Sequence, residues 1–330
     1  MNISIIGTGS WGTANAVLLA NARHSVTVWG RNAEAVEKLR RTRVNERYLP
    51  DVGLPETIDW TADSEYAVKT ADIVVLAVPS RHLEDVCRLF RPHLPAEATV
   101  VSLTKGFCPK THRRMTELAA DIFGTRRVVA LSGPSHAEEV VKGMPTAVTA
   151  ASADRFSAQL VQTVWTGPSF RVYTSDDVVG VESGGAVKNV LALAAGMSDG
   201  LGFGDNTRAA LITRGLAEVT RFACALGGRP ETLAGLSGAG DLIVTCTSRH
   251  SRNHAVGERL GRGEKLADII GSMQMIAEGV GNAQVVHEIA QALAVEMPIA
   301  DCVWRICHEG YPAKAALSDL MNRPMKGEDR

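Results

Sequence analysis

Three features of the sequence predict an α/β fold, in which an N-terminal Rossmann domain with a doubly wound, mostly parallel sheet is followed by an all-α C-terminal domain. A short apolar run, Asn2 to Ile6, meets the turn Gly7-Thr8-Gly9-Ser10-Trp11-Gly12 and then an alanine-rich helical stretch, Ala14 to Ala22. Apolar runs that end in chemically loaded turns recur as far as Thr174. From about Asp177 the pattern is helical, with no convincing strand afterwards. At 330 residues the chain exceeds one ordinary core, so two domains are expected, residues 1–180 and 181–330.

The glycine turn is the first functional candidate. Gly7 permits a tight turn out of the strand, Gly9 lets a pyrophosphate approach the backbone, and Gly12 lets the helix pack closely on the strand. The helix start at Ser10 and Trp11 then offers free N–H groups and partial positive charge to the phosphates. Strand before and helix after give weight to a G-x-G-x-x-G match that is weak alone. Ser25 to Trp29 reads as the second strand. Where an NAD-preferring fold places Asp or Glu on the ribose 2′-hydroxyl, this chain has Arg31. A guanidinium pairs well with a 2′-phosphate, so the reading leans towards NADP(H), with NAD(H) kept open. Asn32 begins a helical pattern through Ala33, Val36 and Leu39.

Asp72 to Val78 is the strongest strand, near-continuously apolar as a parallel strand covered on both faces must be. Pro79-Ser80 ends it. Ala98 to Leu103 leads to Thr104-Lys105-Gly106, and Arg127 to Leu131 leads to Ser132-Gly133-Pro134-Ser135-His136-Ala137-Glu138. Ligands bind at the carboxyl ends of such strands. Lys105 is thus a compact cation at the crevice mouth, suited to a substrate phosphate or a carbonyl oxygen. Gly133-Pro134-Ser135 brings backbone amides and a hydroxyl to a helix start. His136, with nothing nearby to orient it, reads as a capping or packing residue. Met144 to Ala151 and Ser169 to Thr174, with a helix Ala153 to Thr166 between them, complete a sheet of about eight strands.

In the helical half, Val178 to Met197 is long and apolar and contains Lys188. Burying an unpaired ammonium is costly and depresses its pKa. Lys188 is therefore either buried beside a partner or snorkelling to solvent at a helix edge. Gly184, Gly185 and Ala192 leave room there for a ligand or another backbone. Gly204 to Thr207 caps a second long helix, Arg208 to Leu226. Asp241 and Thr245, four apart, put a carboxylate and a hydroxyl on one helix face. That carboxylate would hold Lys188 charged and oriented. Ser251-Arg252-Asn253 combines hydroxyl, guanidinium and amide with free N–H groups at a helix start, a cradle for phosphate.

Composition excludes several classes of function. With 35 basic and 36 acidic residues the net charge is -1, which gives no footprint for nucleic acid or an anionic membrane. The six cysteines are scattered without a CxxC pair, so reduced, mostly buried thiols are expected, with no metal site or redox dithiol. No basic region precedes the first apolar run, and no stretch of about 18 uninterrupted apolar residues exists. Neither a signal peptide nor a membrane span is expected, and a cytoplasmic location is.

The motifs GTGSWGTANA (7–16), LTKGF (103–107), GPSHAEEV (133–140), GAVKNVLALAAG (185–196), GDNTRAALITRG (204–215), LSGAGDLIVTCTSRHSRN (236–253) and AEGV (277–280) stand in a telling order and spacing. With them the chain resembles the bacterial-type NAD(P)-dependent glycerol-3-phosphate dehydrogenases. Asn15 departs from the family pattern, where an apolar residue is expected, and reads as facing sheet or solvent. Residues after Val280 carry no signature. The resemblance implies a homodimer that reversibly reduces dihydroxyacetone phosphate to sn-glycerol 3-phosphate with NAD(P)H, supplying the glycerophospholipid backbone. It also implies that Lys188 is the proton donor and acceptor, with Asp241 and Lys105 beside it. Substrate contacts implied in the same way are Lys105, Gly133, Ser135, Lys188, Asn189, Asp241, Thr245, Ser251, Arg252 and Asn253. The implied cofactor contacts are Gly7, Gly9, Ser10, Trp11, Gly12, Arg31, Lys105, Ala137, Arg252, Ile276 and Glu278. Two other functions share the fold. A dehydrogenase of a 3-hydroxy acid or 2-ketopantoate would grip a carboxylate with Ser251-Arg252-Asn253. A non-catalytic NADPH sensor would have no need of a lysine facing an aspartate.

Overall fold

A computed structural model describes residues 1–273, 277–325 and 327. Its strands are β1 (Asn2–Ile6), β2 (Ser25–Trp29), β3 (Val44–Asn45), β4 (Leu49–Gly53), β5 (Ile58–Thr61), β6 (Ile73–Leu76), β7 (Thr99–Ser102), β8 (Val128–Ser132), β9 (Thr146–Ala151) and β10 (Phe170–Ser175). Eight of them form one sheet in the order β10-β9-β8-β7-β6-β1-β2-β5. From β5 to β8 every neighbouring pair is parallel; β9 runs antiparallel to β8, and β10 parallel to β9. The chain winds outward in both directions from β1 and β6. A crevice therefore opens between their carboxyl ends, where the glycine turn after β1 lies. Ile73 to Leu76 are fully buried because helices cover both faces of the sheet.

Four local readings need correction. The sequence reading had no counterpart for β5 or for the β3–β4 hairpin. These strands are short, and the charged run Arg43 to Arg47 masks any alternation. A buried asparagine anchors the hairpin: Asn45 Nδ2 donates to the Thr8 carbonyl at 2.9 Å and to Thr13 Oγ1 at 2.8 Å. Asn15 is fully buried and never meets solvent. Its Nδ2 donates to the Trp11 carbonyl, and its Oδ1 accepts from Trp165 Nε1 at 2.8 Å, so a hydrogen-bonded pair replaces the expected apolar contact. The second long helix, Asp205–Ala225, starts three residues earlier than expected, with Gly204 as its N-cap. Cys224 is also exposed rather than buried, and all six cysteines are free thiols.

After β10 the described residues are helical. The helix Val178–Gly200 forms the axis of this half and packs against Asp205–Ala225, Asp241–Thr247, Arg252–Gly261 and Glu278–Ala292. Length and composition would let it cross a membrane, but 89% of its apolar window is buried inside the fold. Glycines bring two backbones together. A Cβ on Gly196 would lie 2.0 Å from the His254 carbonyl oxygen, and one on Gly257 would lie 2.1 Å from that of Leu193. The loop after β7 locks the halves together: Phe107 is buried in the helical core, edge-on to Phe222 at 5.8 Å.

Candidate active site

The glycine turn has the shape a phosphate needs. Gly7 adopts φ +124°, and a Cβ there would strike the Ala77 carbonyl oxygen at 2.4 Å; a Cβ on Gly12 would meet the Gly7 carbonyl oxygen at 2.3 Å. Gly9 differs, because a Cβ there would meet nothing within 4 Å. Its bare face opens into the crevice. No side chain caps the helix Ser10–Asn21 at Gly9, so its first N–H groups remain available for an anion. The residues present therefore fit a dinucleotide pyrophosphate. A cleft of about 410 Å³ runs from this turn across to the helical half. Gly7, Gly9, Ser10, Trp11, Gly12, Arg31, Lys105, Ser135, Ala137, Lys188, Asn189, Thr245, Ser251, Arg252, Asn253 and Glu278 all line it.

At its inner end two lysines share one carboxylate. Lys188 Nζ donates to Asp241 Oδ1 at 2.5 Å and to Thr245 Oγ1 at 2.9 Å. Lys105 Nζ, arriving from the end of β7, donates to Asp241 Oδ2 at 2.7 Å and to the Gly133 carbonyl at 3.3 Å. Lys188 is only 7% exposed and Asp241 1%, so the snorkelling alternative fails. Burial, reinforced by the Lys105 charge, lowers the Lys188 pKa to about 8, although Asp241 opposes the shift. Burial alone would raise the Asp241 carboxyl, but the two ammonium groups hold it below the usual carboxylate range. The result is a buried lysine that is mainly protonated at neutral pH and within easy reach of deprotonation. His136 packs with its ring centroid 5.9 Å from that of His250, and its side chain does not cap the short helix Ala137–Val140. Burial, with the Lys188 charge adding to it, lowers its pKa.

The expected phosphate cradle is more selective than its sequence suggests. Ser251 Oγ accepts from the His254 N–H at 3.2 Å, capping the helix Arg252–Gly261 and keeping its own proton to donate. Asn253 lines the cleft and also ties its helix to its neighbours: Nδ2 donates one N–H to Asn189 Oδ1 at 2.9 Å, and Oδ1 accepts from the Gly279 N–H at 2.9 Å. Arg252 is exposed to the cleft beside them. Ser135 Oγ donates to the Gly133 carbonyl at 3.0 Å. Glu278 sits across from Arg252, its carboxyl raised by burial against the pull of Arg252 and Lys105.

Gly133 and Asp241 lie behind the cleft wall and reach it through Lys105 and Lys188. Ile276 lies outside the described residues. Arg47, Tyr48 and His82 also line the cleft, and the sequence reading missed them. Arg47 and Tyr48 follow the hairpin residue Asn45, whose anchor to Thr8 and Thr13 leaves no periodic trace in the sequence. A wider groove of about 1530 Å³ on another face gathers Arg113, Arg127 and Arg229 with Glu117, Asp154 and Asp176. It holds none of the motif residues.

Comparison with known proteins agrees with this geometry. Residues 2–158 match the family model described as NAD-dependent glycerol-3-phosphate dehydrogenase N-terminus, and residues 177–318 match the C-terminus model. A glycerol-3-phosphate dehydrogenase [NAD(P)+] of Geobacillus thermodenitrificans is 49% identical, over 99% of this chain and 96% of its own. One from Moorella thermoacetica is 48% identical, over 99% and 97%. The crystal structure of glycerol-3-phosphate dehydrogenase from Coxiella burnetii superposes with a TM-score of 0.94 at 39% identity, covering 98% of this chain and 99% of that one. With both halves matched in order and relatives aligned along their full length, the chain belongs to the NAD-dependent glycerol-3-phosphate dehydrogenase family.

Proposed function

We infer that the protein catalyses the reversible NAD(P)H-dependent reduction of dihydroxyacetone phosphate to sn-glycerol 3-phosphate. The observation that carries this reading is the buried Lys188–Asp241 pair with the half-buried Lys105 beside it, opening onto the same cleft as the glycine turn. When bound, the nicotinamide supplies hydride from C4 to the ketone carbon. Lys188 gives its proton to the ketone oxygen, and with Lys105 it stabilises the charge that develops there. Asp241 and Thr245 aim the Lys188 ammonium, and Asp241 keeps it charged. Arg252, with Ser251 and the N–H groups of its helix start, holds the substrate phosphate. Arg31 lines the same cleft and would pair with a ribose 2′-phosphate, which favours NADPH without barring NADH. Family membership displaces the 3-hydroxy acid, ketopantoate and sensor alternatives. Steady-state rates with dihydroxyacetone phosphate and 2-ketopantoate, each with NADPH and NADH, test the assignment. Turnover of ketopantoate alone would sink it.

The same reading includes a homodimer, a cytoplasmic location and supply of the glycerophospholipid backbone. It divides the chain into domains 1–180 and 181–330, in keeping with a sheet that ends at Ser175 and a helix that starts at Val178.

Two kinetic predictions follow from the site. Reduction needs the Lys188 ammonium and oxidation needs the amine. With a pKa of about 8, kcat/KM for reduction should hold below pH 8 and fall above it, while that for oxidation should climb through pH 8 and then level. Because Lys188 lies against the charges of Asp241 and Lys105, the midpoint reports the lysine in that cluster and not a free amine. Profiles flat in both directions would remove Lys188 from the chemistry. Arg252→Ala should raise the KM for dihydroxyacetone phosphate roughly tenfold or more and change kcat much less, since a charge-assisted phosphate contact is lost. An unchanged KM would take Arg252 out of the cradle.

A further inference from the structure

Glu182 is buried and does not line the cleft, yet it grips the segment that delivers Lys105. Its Oε1 accepts from the Thr116 N–H at 2.8 Å, and its Oε2 accepts from Thr116 Oγ1 at 2.6 Å and Arg114 Nη1 at 2.9 Å. Arg114 and Thr116 close the strap that follows β7 and passes Lys105, Phe107 and His112. Glu182 stands on the helix Val178–Gly200, where Gly185 follows it by three residues and Lys188 follows Gly185 by three, each a neighbour of the one before on the helix surface. Gly185 seats the strap at its other end: a Cβ there would lie 3.6 Å from Lys105 Cγ and 2.9 Å from Ser132 Oγ. Between the two seats, Phe107 enters the helical core and His112 Nε2 meets Glu288 Oε2 at 2.8 Å. The acid is costly to bury, since burial raises its carboxyl against the pull of Arg114 and Thr116. An apolar residue would fill this place at lower cost but would hold neither Arg114 nor the helix start at Thr116.

We propose that Glu182 is a positioning residue for the reaction: by fixing Arg114 and Thr116 it sets where the strap lies on the catalytic helix, and hence where the Lys105 ammonium meets Asp241 opposite Lys188. The distance at stake is small. A shift of about 1 Å breaks the 2.7 Å contact between Lys105 and Asp241, and misplacement on that scale costs up to about a hundredfold in rate.

The proposal rests on the reading that Lys105 acts on the substrate, and a double-mutant cycle separates the two. Glu182→Ala should lower kcat/KM for dihydroxyacetone phosphate roughly tenfold in the wild-type background and less than about twofold in the Lys105→Ala background. A loss of stability alone would give equal factors in both, and that result overturns the proposal. Lys105→Ala with undiminished kcat/KM would overturn the reading of Lys105, and the proposal with it. Should Glu182→Ala not fold, Glu182→Gln serves the same cycle with the same two outcomes. It keeps an acceptor for the Thr116 N–H and removes the charge that Arg114 meets.

Discussion

Lys188→Ala is expected to lower kcat about a thousandfold in both directions while leaving NADPH binding close to wild type. The size follows from two roles in one buried side chain: proton transfer, and charge beside the developing alkoxide. Lys105 survives in the variant and still pairs with Asp241, so the loss should stop short of the uncatalysed rate. Cofactor affinity is spared because the glycine turn and Arg31 lie at the other end of the cleft. Lys188→Arg sharpens the test. A guanidinium keeps the positive charge but does not release its proton near neutral pH. It should fail at least as badly in oxidation as in reduction, and the alkaline rise should vanish. Steady-state kinetics in both directions, with NADPH titrated by fluorescence, measure all of this. A variant that keeps kcat and loses NADPH binding would mean that Lys188 holds cofactor instead of moving a proton.

How much of this site was legible before folding depended on the range of each contact. Gly7, Gly9 and Gly12 could be read because their task is local: a strand, a turn and a helix lie in consecutive residues. Asp241 and Thr245 could be paired because four residues make one helical turn. Their partnership with Lys188 was one of two readings, since a lysine amid Val187, Val190 and Leu191 either finds a carboxylate or snorkels to solvent, and only burial beside Asp241 decides between them. Contacts between distant segments left no such trace. Nothing in the charged run around Asn45 says that its amide binds Thr8 and Thr13 or that Arg47 and Tyr48 line the cleft. Asn253 reads as a phosphate ligand by residue type, but nothing in the sequence says that its side chain also bridges Asn189 and Gly279. Asn15 shows the same limit in the fold, for its partner Trp165 is 150 positions away. Residue type announces what a side chain can do, and only the assembled backbone decides whom it meets.

Gly257→Ala should be among the most destabilising single-methyl changes in the helical half, with an expected loss of about 3 kcal/mol. Intrinsic propensity argues the other way, because alanine favours a helix over glycine by about 1 kcal/mol. Sterics decide the sign. The new Cβ would sit 2.1 Å from the Leu193 carbonyl oxygen, and neighbouring glycines repeat the approach: Gly261 to the Met197 carbonyl oxygen at 2.3 Å, and Gly200 to that of Glu258 at 2.1 Å. The obstacle is backbone in every case, so no side chain can rotate aside. The helices Val178–Gly200 and Arg252–Gly261 must separate, and the core around Leu193 and Val256 loses contact. Function should suffer as well, because the second helix carries Ser251 and Arg252 at its start and is tied to the first through Asn253 and Asn189. A lower melting temperature should therefore come with a raised KM for dihydroxyacetone phosphate. Gly271→Ala provides the control: a Cβ there meets nothing within 4 Å, so propensity alone acts and stability should rise slightly. Thermal denaturation of the two variants side by side decides the matter. Equal or higher stability for Gly257→Ala would show that the helices can part freely and that these glycines do not set the geometry of the cradle.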